Sequence, residues 1–328
     1  MEDIILVLTN TKDGKHSDVV TSALLAKGTR VFRLNVDAIA SGKTEIVFTT
    51  SSVGSRFVVK DNDSCCKSEE VRSVWYRRPN QFDFRISDPV QQKYAEAELR
   101  SLLEGLWTVL EHNGVFFVSN PTALEKSRKK LLQLELAAQM GMLVPKTIIS
   151  NNPEEVLEFY AASSHGVVCK AINQEYLDYG DIGYRIPTTL VTSAHLRNIN
   201  LVRRSPTLFQ EFIDKSHELR VTVVGNDVFA VKIDSQANPL TAVDWRNPAL
   251  IADINYSKVD ISDALAEFCL KMTKKLGLQF GAFDFVVDKE GRTVFLEINP
   301  NGQWYWIEER TGLRISDAIV RVLLQERG

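Results

Sequence analysis

An unbroken apolar run over residues 4–8 stops at Thr9-Asn10, and a helical period through Val19, Val20, Ala23, Leu24 and Leu25 follows it up to Gly28. Val31-Phe32-Arg33-Leu34 reads as the next strand, so the chain opens as β-α-β. The runs 45–49 and 56–60, together with Val74-Trp75-Tyr76, are expected to extend that sheet ahead of a long helix from about Pro89 to His112. Val115-Phe116-Phe117-Val118, broken by Ser119-Asn120-Pro121, is the expected last strand of a first domain.

Helical periodicity resumes over 122–140 through Leu124, Leu131, Leu134 and Ala138, and Gly141 closes it. Val144-Pro145-Lys146-Thr147 leads into a second α/β unit. A third segment opens near Pro206, with strands at 207–213, 218–225, 227–234, 280–287 and 293–298 and a helix over 262–276. No repeat or low-complexity tract interrupts this order. The expected fold class is therefore α/β with α+β character, divided into 1–120, 121–205 and 206–328.

Composition narrows the function classes. With 44% hydrophobic and 25% charged residues, the 328-residue chain has the make-up of an ordinary globular protein of more than one domain. A net charge of −3 argues against a general role on nucleic acid or on membrane surfaces. No run of about 18 apolar residues occurs, and the N-terminus carries acidic residues where a signal peptide needs basic ones, so a cytoplasmic protein is expected. Cys65, Cys66, Cys169 and Cys269 lack Cys-x-x-Cys spacing; free thiols are expected, with Cys65 and Cys66 in a polar loop.

Candidate chemistry gathers near the end. Glu297 and Asn299 alternate onto one face of the strand Val294-Phe295-Leu296-Glu297-Ile298-Asn299. Asp284 lies on a second strand, Gly281-Ala282-Phe283-Asp284-Phe285, joined to the first through Lys289-Glu290-Gly291-Arg292. A hairpin brings these three hard oxygen donors together, which suits Mg²⁺ bridging to nucleotide phosphates, with ATP as the partner. The same Asp and Glu on neighbouring strands can equally be solvated face residues. Lys130, on a helix face, and Lys170, at the end of an apolar strand, can clamp phosphates as point charges, although most lysines are simply solvated. The backbone of Gln210-Glu211-Phe212-Ile213 can hydrogen-bond an adenine, and Glu218 is spaced to meet ribose hydroxyls. Arg220 and Lys232, on the next two strands, can point at the phosphates; the competing reading is a salt-bridged β-meander.

In order and spacing, Lys130, Lys170, Gln210-Glu211-Phe212-Ile213, Glu218, Arg220, Lys232, Asp284 and Glu297-x-Asn299 resemble the ATP-grasp carboxylate–amine ligases over about 115–300. Val74-Trp75-Tyr76-Arg77-Arg78-Pro79, Asp244-Trp245-Arg246 and Asn299-Pro300-Asn301-Gly302-Gln303-Trp304 are similar to the microviridin-type ligases, the graspetide synthetases, over nearly the whole chain. That resemblance implies an N-terminal pre-ATP-grasp α/β domain, a central lid-like α+β domain and a C-terminal α+β domain holding ATP and Mg²⁺. It implies a ribosomal precursor peptide, leader plus core, whose Asp or Glu carboxylate is phosphorylated and then attacked by Thr, Ser or Lys. It also implies a homodimer, with neither nucleic acid nor membrane as partner. Asp284, Glu297 and Asn299 are then the metal ligands, Lys130 and Lys170 the phosphate clamp, and Arg220 and Lys232 the stabilisers of transferred charge.

Arg246 is the expected grip on the acceptor carboxylate, although a Trp-Arg pair is equally at home as a cation–π surface feature, and one of Arg77 and Arg78 could face the same cleft or form a structural salt bridge to the central domain. Trp304 and Trp306 are expected to be structural. The surface at 171–205, with Glu175, Tyr176, Asp178, Tyr179, Asp181 and Tyr184 and then Arg197, Arg203 and Arg204, could take the leader peptide or be a mobile ATP lid. The alternatives are a general ATP-grasp ligase acting on a small molecule or protein terminus, and a nucleotide-binding regulator without turnover.

Overall fold

The computed structural model of the chain describes residues 3–61, 64–79, 82, 84, 86–173, 176–178, 183–246 and 253–325, with 176–178 and 183–185 as backbone alone. The first domain runs β1 (Ile4–Thr9), α1 (Lys15–Ala26), β2 (Arg30–Asn35), α2 (Val36–Ala40), β3 (Thr44–Ser51), β4 (Gly54–Asp61), β5 (Ser64–Lys67), β6 (Val71–Tyr76), α3 (Pro89–His112) and β7 (Phe116–Val118). Its main sheet is parallel, in the order β2-β1-β6-β7. Every residue of β1 is buried, so its sequence is a continuous apolar run instead of an alternation. Strands β3 and β4 do not extend this sheet: with β5 they form a separate antiparallel one, because β3 and β4 turn tightly on each other at Ser51 and Gly54. Cys65 and Cys66 belong to β5, not to a loop; Cys66 is buried with Phe57 and Val59, Cys65 is exposed, and all four cysteines are free.

The next elements are α4 (Pro121–Ser127), α5 (Lys130–Gln139), β8 (Thr147–Ser150), α6 (Pro153–Ala162), β9 (Val167–Lys170), β10 (Tyr176–Asp178), β11 (Gly183–Arg185), β12 (Thr189–Leu190), α7 (Ser193–Arg197) and β13 (Thr207–Glu211). The single helix expected over 122–140 is broken at Arg128-Lys129, which makes Lys130 the first residue of α5. Strand β13, expected to open the third segment, is instead an inner strand of the central sheet β12-β9-β13-β8, pairing with both β8 and β9. Its buried Phe209 packs with Val156 and Val167 there.

The chain closes with β14 (Lys215–Val224), β15 (Asp227–Ile233), β16 (Tyr256–Lys258), α8 (Asp263–Lys275), β17 (Phe280–Asp288), β18 (Thr293–Asn299), α9 (Tyr305–Thr311) and α10 (Ile315–Leu323). The five strands form an antiparallel sheet, β16-β15-β14-β17-β18. One hydrophobic core unites Ile5, Val7 and Trp75 of the first domain with Phe280, Trp304 and Ile319 of the last. Ser73 Oγ and Arg72 Nη2 donate to the carbonyls of Leu323 and Leu324, which ties α10 to the first sheet. Among the described residues, no helix is long and apolar enough to cross a membrane.

Candidate active site

The β17–β18 hairpin sets Asp284 directly opposite Glu297, and Ala282 opposite Asn299. Asn299 Nδ2 donates to Asp284 Oδ2 at 3.0 Å and reaches Glu297 Oε1 at 3.5 Å, so the three expected donors meet. Strand β18 is the outer strand of its sheet, and α5 covers it. The side-chain amide of Gln133 imitates a neighbouring strand there: Ile298 N–H donates to Oε1 at 3.0 Å, and Nε2 donates to Ile298 O at 2.9 Å and to Ser127 O at 2.7 Å. Ile298 stands between the two metal-type donors, so Gln133 fixes both. Sequence reasoning passed over it; a glutamine on the buried face of a helix was the available signal.

Cations already crowd these carboxylates. Lys130 Nζ lies 3.3 Å from Glu297 Oε2 and donates to Ala171 O at 3.2 Å. Arg246 Nη1 is 3.6 Å from Glu297 Oε1, and its Nε donates to Asp244 Oδ1 at 3.0 Å. Burial by itself would raise the Glu297 pKa, but Lys130, Arg246 and Lys170 together outweigh it and hold the carboxyl well below its usual range. Arg220 is buried and grips both oxygens of Asp284 through Nη1, at 2.7 and 2.8 Å, while Nη2 donates to Gln303 O at 3.2 Å. The backbone of Gly302 runs against that guanidinium: a Cβ there would stand 2.8 Å from Arg220 Nη2, which explains a glycine at a position without a turn-type φ.

A cleft opens over this group, lined by Lys130, Lys170, Lys215, Glu218, Arg246, Asp284 and Glu297. Burial, with neighbouring cations, pushes the Lys170 amine down to about 8 despite the pull of Glu297. Lys215 Nζ sits 2.7 Å from Glu218 Oε1; burial drives the Glu218 pKa up against that pairing. Lys215 was also missed from sequence, since a register shift between Lys215 and His217 brings it to the side of Glu218 against simple alternation. The Asp244-Trp245-Arg246 loop is pinned by the buried Trp245, whose ring is 5.5 Å from Trp306 and 6.1 Å from Tyr256. Trp306 and the fully buried Trp304 are therefore structural.

The segment expected to meet adenine, 210–213, ends β13 and leads towards β14. Glu211 N–H donates to Lys146 O and Phe212 N–H to Gly166 O, both at 2.9 Å, whereas the Ile213 N–H has no partner among the described residues. Gln210 is buried with its amide on Thr147 Oγ1, a structural position. One expectation needs correction. Lys232 pairs with Leu219, hence shares the face opposite to Arg220 and Asp284, and does not line the cleft. Arg77 is a buried staple: Nη1 donates to Asn301 O at 3.0 Å, Asn301 Oδ1 at 3.1 Å and Gly302 O at 3.1 Å, and Nε lies 3.4 Å from Asp13 Oδ1. Of the proposed leader surface, Glu175, Tyr179 and Asp181 and the side chains of Tyr176, Asp178 and Tyr184 lie outside the described residues; Arg197, Arg203 and Arg204 are exposed, with Arg203 paired to Glu154 at 2.7 Å.

This arrangement of cations and oxygen donors on an antiparallel sheet, beside a parallel first domain, defines a class. Residues 4–123 match the MvdD pre-ATP grasp domain, and residues 127–323 match the RimK-like ATP-grasp domain. The chain belongs to the RimK-like ATP-grasp family and is a ligase of that kind, with the mixed α/β fold expected. More narrowly, it is similar over its whole length to graspetide-type ligases. The macrocyclase MdnC of Microcystis aeruginosa MRC, solved with precursor peptide MdnA, superposes with a TM-score of 0.87 at 28% identity, covering 98% of this chain and 100% of that one. The RiPP-associated ATP-grasp ligase of Chryseobacterium gregarium, solved with ADP and a leader and core peptide, gives 0.90 at 28% identity, covering 99% and 98%. The α-aminoadipate–LysW ligase LysX of Sulfurisphaera tokodaii is 25% identical over 225 residues, 65% of this chain and 73% of that protein.

Proposed function

We propose that this protein is an ATP-dependent peptide macrocyclase. It phosphorylates Asp or Glu side chains of a ribosomal precursor peptide and closes intramolecular esters with Thr or Ser, or amides with Lys. The observation that carries this reading is the likeness to two peptide-modifying ligases over at least 98% of the chain, first domain included. The match to the amino-acid ligase LysX reaches only 65% of the chain, which favours the peptide reading over the general one.

A substrate carboxylate oxygen attacks the γ-phosphorus and ADP leaves; a hydroxyl or amine then attacks the acyl carbon, phosphate leaves and the nucleophile gives up its proton. Phosphoryl transfer of this kind asks mainly for alignment and charge neutralisation. Asp284, Glu297 and Asn299 would hold Mg²⁺, since two carboxylates and an amide meeting within hydrogen-bond distance supply the hard oxygens it prefers. Bound there, such an ion would supply neutralisation of phosphate charge. Lys130 and Lys170 clamp phosphates, Glu211 and Ile213 offer a backbone acceptor and donor to adenine, and Glu218 meets the ribose. Arg220 orients Asp284. Arg246, on the nucleotide side of Glu297, faces the phosphoryl group as it moves. The leader peptide is assigned to the 171–205 region; a homodimer, which rests on the family resemblance, and a cytoplasmic setting, which rests on the acidic N-terminus and the lack of a long apolar run, complete the reading.

The test is mass spectrometry of a precursor peptide encoded beside the gene, incubated with the protein, ATP and Mg²⁺. ATP-dependent loss of one water per ring is the expected result. ATP consumption with free amino acids or amines alone would replace this reading with an intermolecular ligase.

A further inference from the structure

Among the described residues, three lysines line the cleft, and the function proposed above uses two of them. The third, Lys215, opens β14 three residues before Glu218, a spacing that plain alternation would set on opposite faces. The pairing of β14 with β17 shifts between Lys215 and His217, so Ser216 is the extra residue and Lys215 turns to the Glu218 side. Ser216 Oγ donates to Val287 O at 3.1 Å, which holds the bulge. Lys215 Nζ then lies 2.7 Å from Glu218 Oε1 and donates to Val243 O at 3.2 Å, and both charged side chains are only 7% exposed. The hydroxyl of buried Ser235 bonds the same carboxyl. Lys130 and Lys170 gather instead at Glu297.

A sugar hydroxyl donates best to an ionised carboxylate, because charge-assisted hydrogen bonds are roughly twice as strong as neutral ones. A carboxylate buried as deeply as Glu218 keeps its charge only beside a cation. Lys215 is that cation, and its second bond, to Val243 O, ties the pair to the loop that carries Arg246. A bulge that breaks the ladder beside a functional cleft is a device for re-aiming a side chain, and here the side chain re-aimed is Lys215. We infer that Lys215 is a positioning residue for sugar recognition: it holds Glu218 charged and aimed, so that the cleft selects nucleotides by their ribose hydroxyls. This rests on the nucleotide reading of the cleft, in which Glu218 meets the ribose, and deepens it. It also divides the three lysines, two for phosphate and one for the carboxylate that reads the sugar.

The probes are ADP and 2′,3′-dideoxy-ADP, titrated by calorimetry against the full chain with Mg²⁺. The wild type should bind ADP roughly tenfold to a hundredfold more tightly than the dideoxy form, the worth of hydrogen bonds to a charged group. K215M should erase most of that preference by weakening ADP while leaving dideoxy-ADP nearly unchanged, and K215R, which keeps the charge, should retain it. E218Q should lose the preference by itself, and K215M added to E218Q should change neither affinity further, since two groups that act through one contact are not additive. Should K215M alone unfold with its carboxylate stranded, the comparison of E218Q with the double variant carries the same decision. Equal weakening of both nucleotides by K215M, or a loss on adding K215M to E218Q, places Lys215 on the phosphates and overturns the inference. A preference that survives in K215M, or vanishes in K215R, overturns it too. A wild type without preference removes Glu218 from the ribose and the inference with it, whereas ADP-selective binding by a protein that closes no ring would fail the macrocyclase reading alone.

Discussion

Glu297 and Asp284 are both metal-type donors, but their neighbours differ, and substitutions should separate them. Glu297 faces Lys130 and Arg246, which line an open cleft and can turn to water when the charge is removed. Glu297→Gln should therefore melt within a few degrees of the wild type and lose on the order of 100-fold or more in turnover, the scale of one lost transition-state contact. Near-normal ATP-dependent turnover of this variant would refute the metal assignment. Asp284 is the anion for a buried guanidinium, so Asp284→Asn strands Arg220 and should cost about 3–5 kcal/mol of stability as well as activity, measurable by denaturant titration. Lys170 gives a pH prediction. In the proposed clamp it is the charged form that binds phosphate, and its pKa is pushed down to about 8, so the favourable charge is complete well below that value and lost above it. Nucleotide affinity measured by calorimetry should fall roughly tenfold between pH 7 and 9, and K170R, which stays charged, should flatten the profile.

At the scale of elements, the β17–β18 hairpin was legible in advance because alternation and turn both lie within one short stretch of chain. What depended on pairing between distant segments was not. Strand β13 sits in the central sheet because β8 and β9 flank it, and nothing in Thr207 to Glu211 states its neighbours. Lys232 was assigned to the wrong face because its direction follows from its register with Leu219, and Lys215 escaped because a bulge overrides alternation. The break before α5 carries neither Gly nor Pro, so the periodicity ran through it. That break matters, since α5 delivers Lys130 to Glu297 and Gln133 to Ile298 on successive turns. Gln133→Ala should cost about 1–3 kcal/mol from the backbone groups it leaves unpaired. It should lower kcat more than it raises the KM for ATP, because the donors on either side of Ile298 lose their common support; unchanged kcat with lower stability would make Gln133 structural only.

Across the whole molecule, the first and last domains are not independent bodies. Ile5, Val7 and Trp75 bury against Phe280, Trp304 and Ile319, and Arg77 reaches from the end of β6 into the Asn301-Gly302 turn that follows the metal-type donors. A fragment of residues 1–120 should therefore fail to fold, seen as loss of protease resistance, and the full chain should unfold these two domains in one transition. Arg77→Ala leaves buried carbonyls and Asp13 without their donor and should destabilise by roughly 3–5 kcal/mol. The ion pairs of the site have a further consequence. Asp284 and Glu297 are neutralised by the protein's own Arg220, Lys130 and Arg246, so each prospective ligand finds its partner already engaged. A cation arriving alone must displace those side chains and leave them unmatched, and a polyphosphate arriving alone strips the carboxylates of their counterions. Only the two together complete an exchange of partners, so each should tighten the binding of the other by the same factor, as linkage requires.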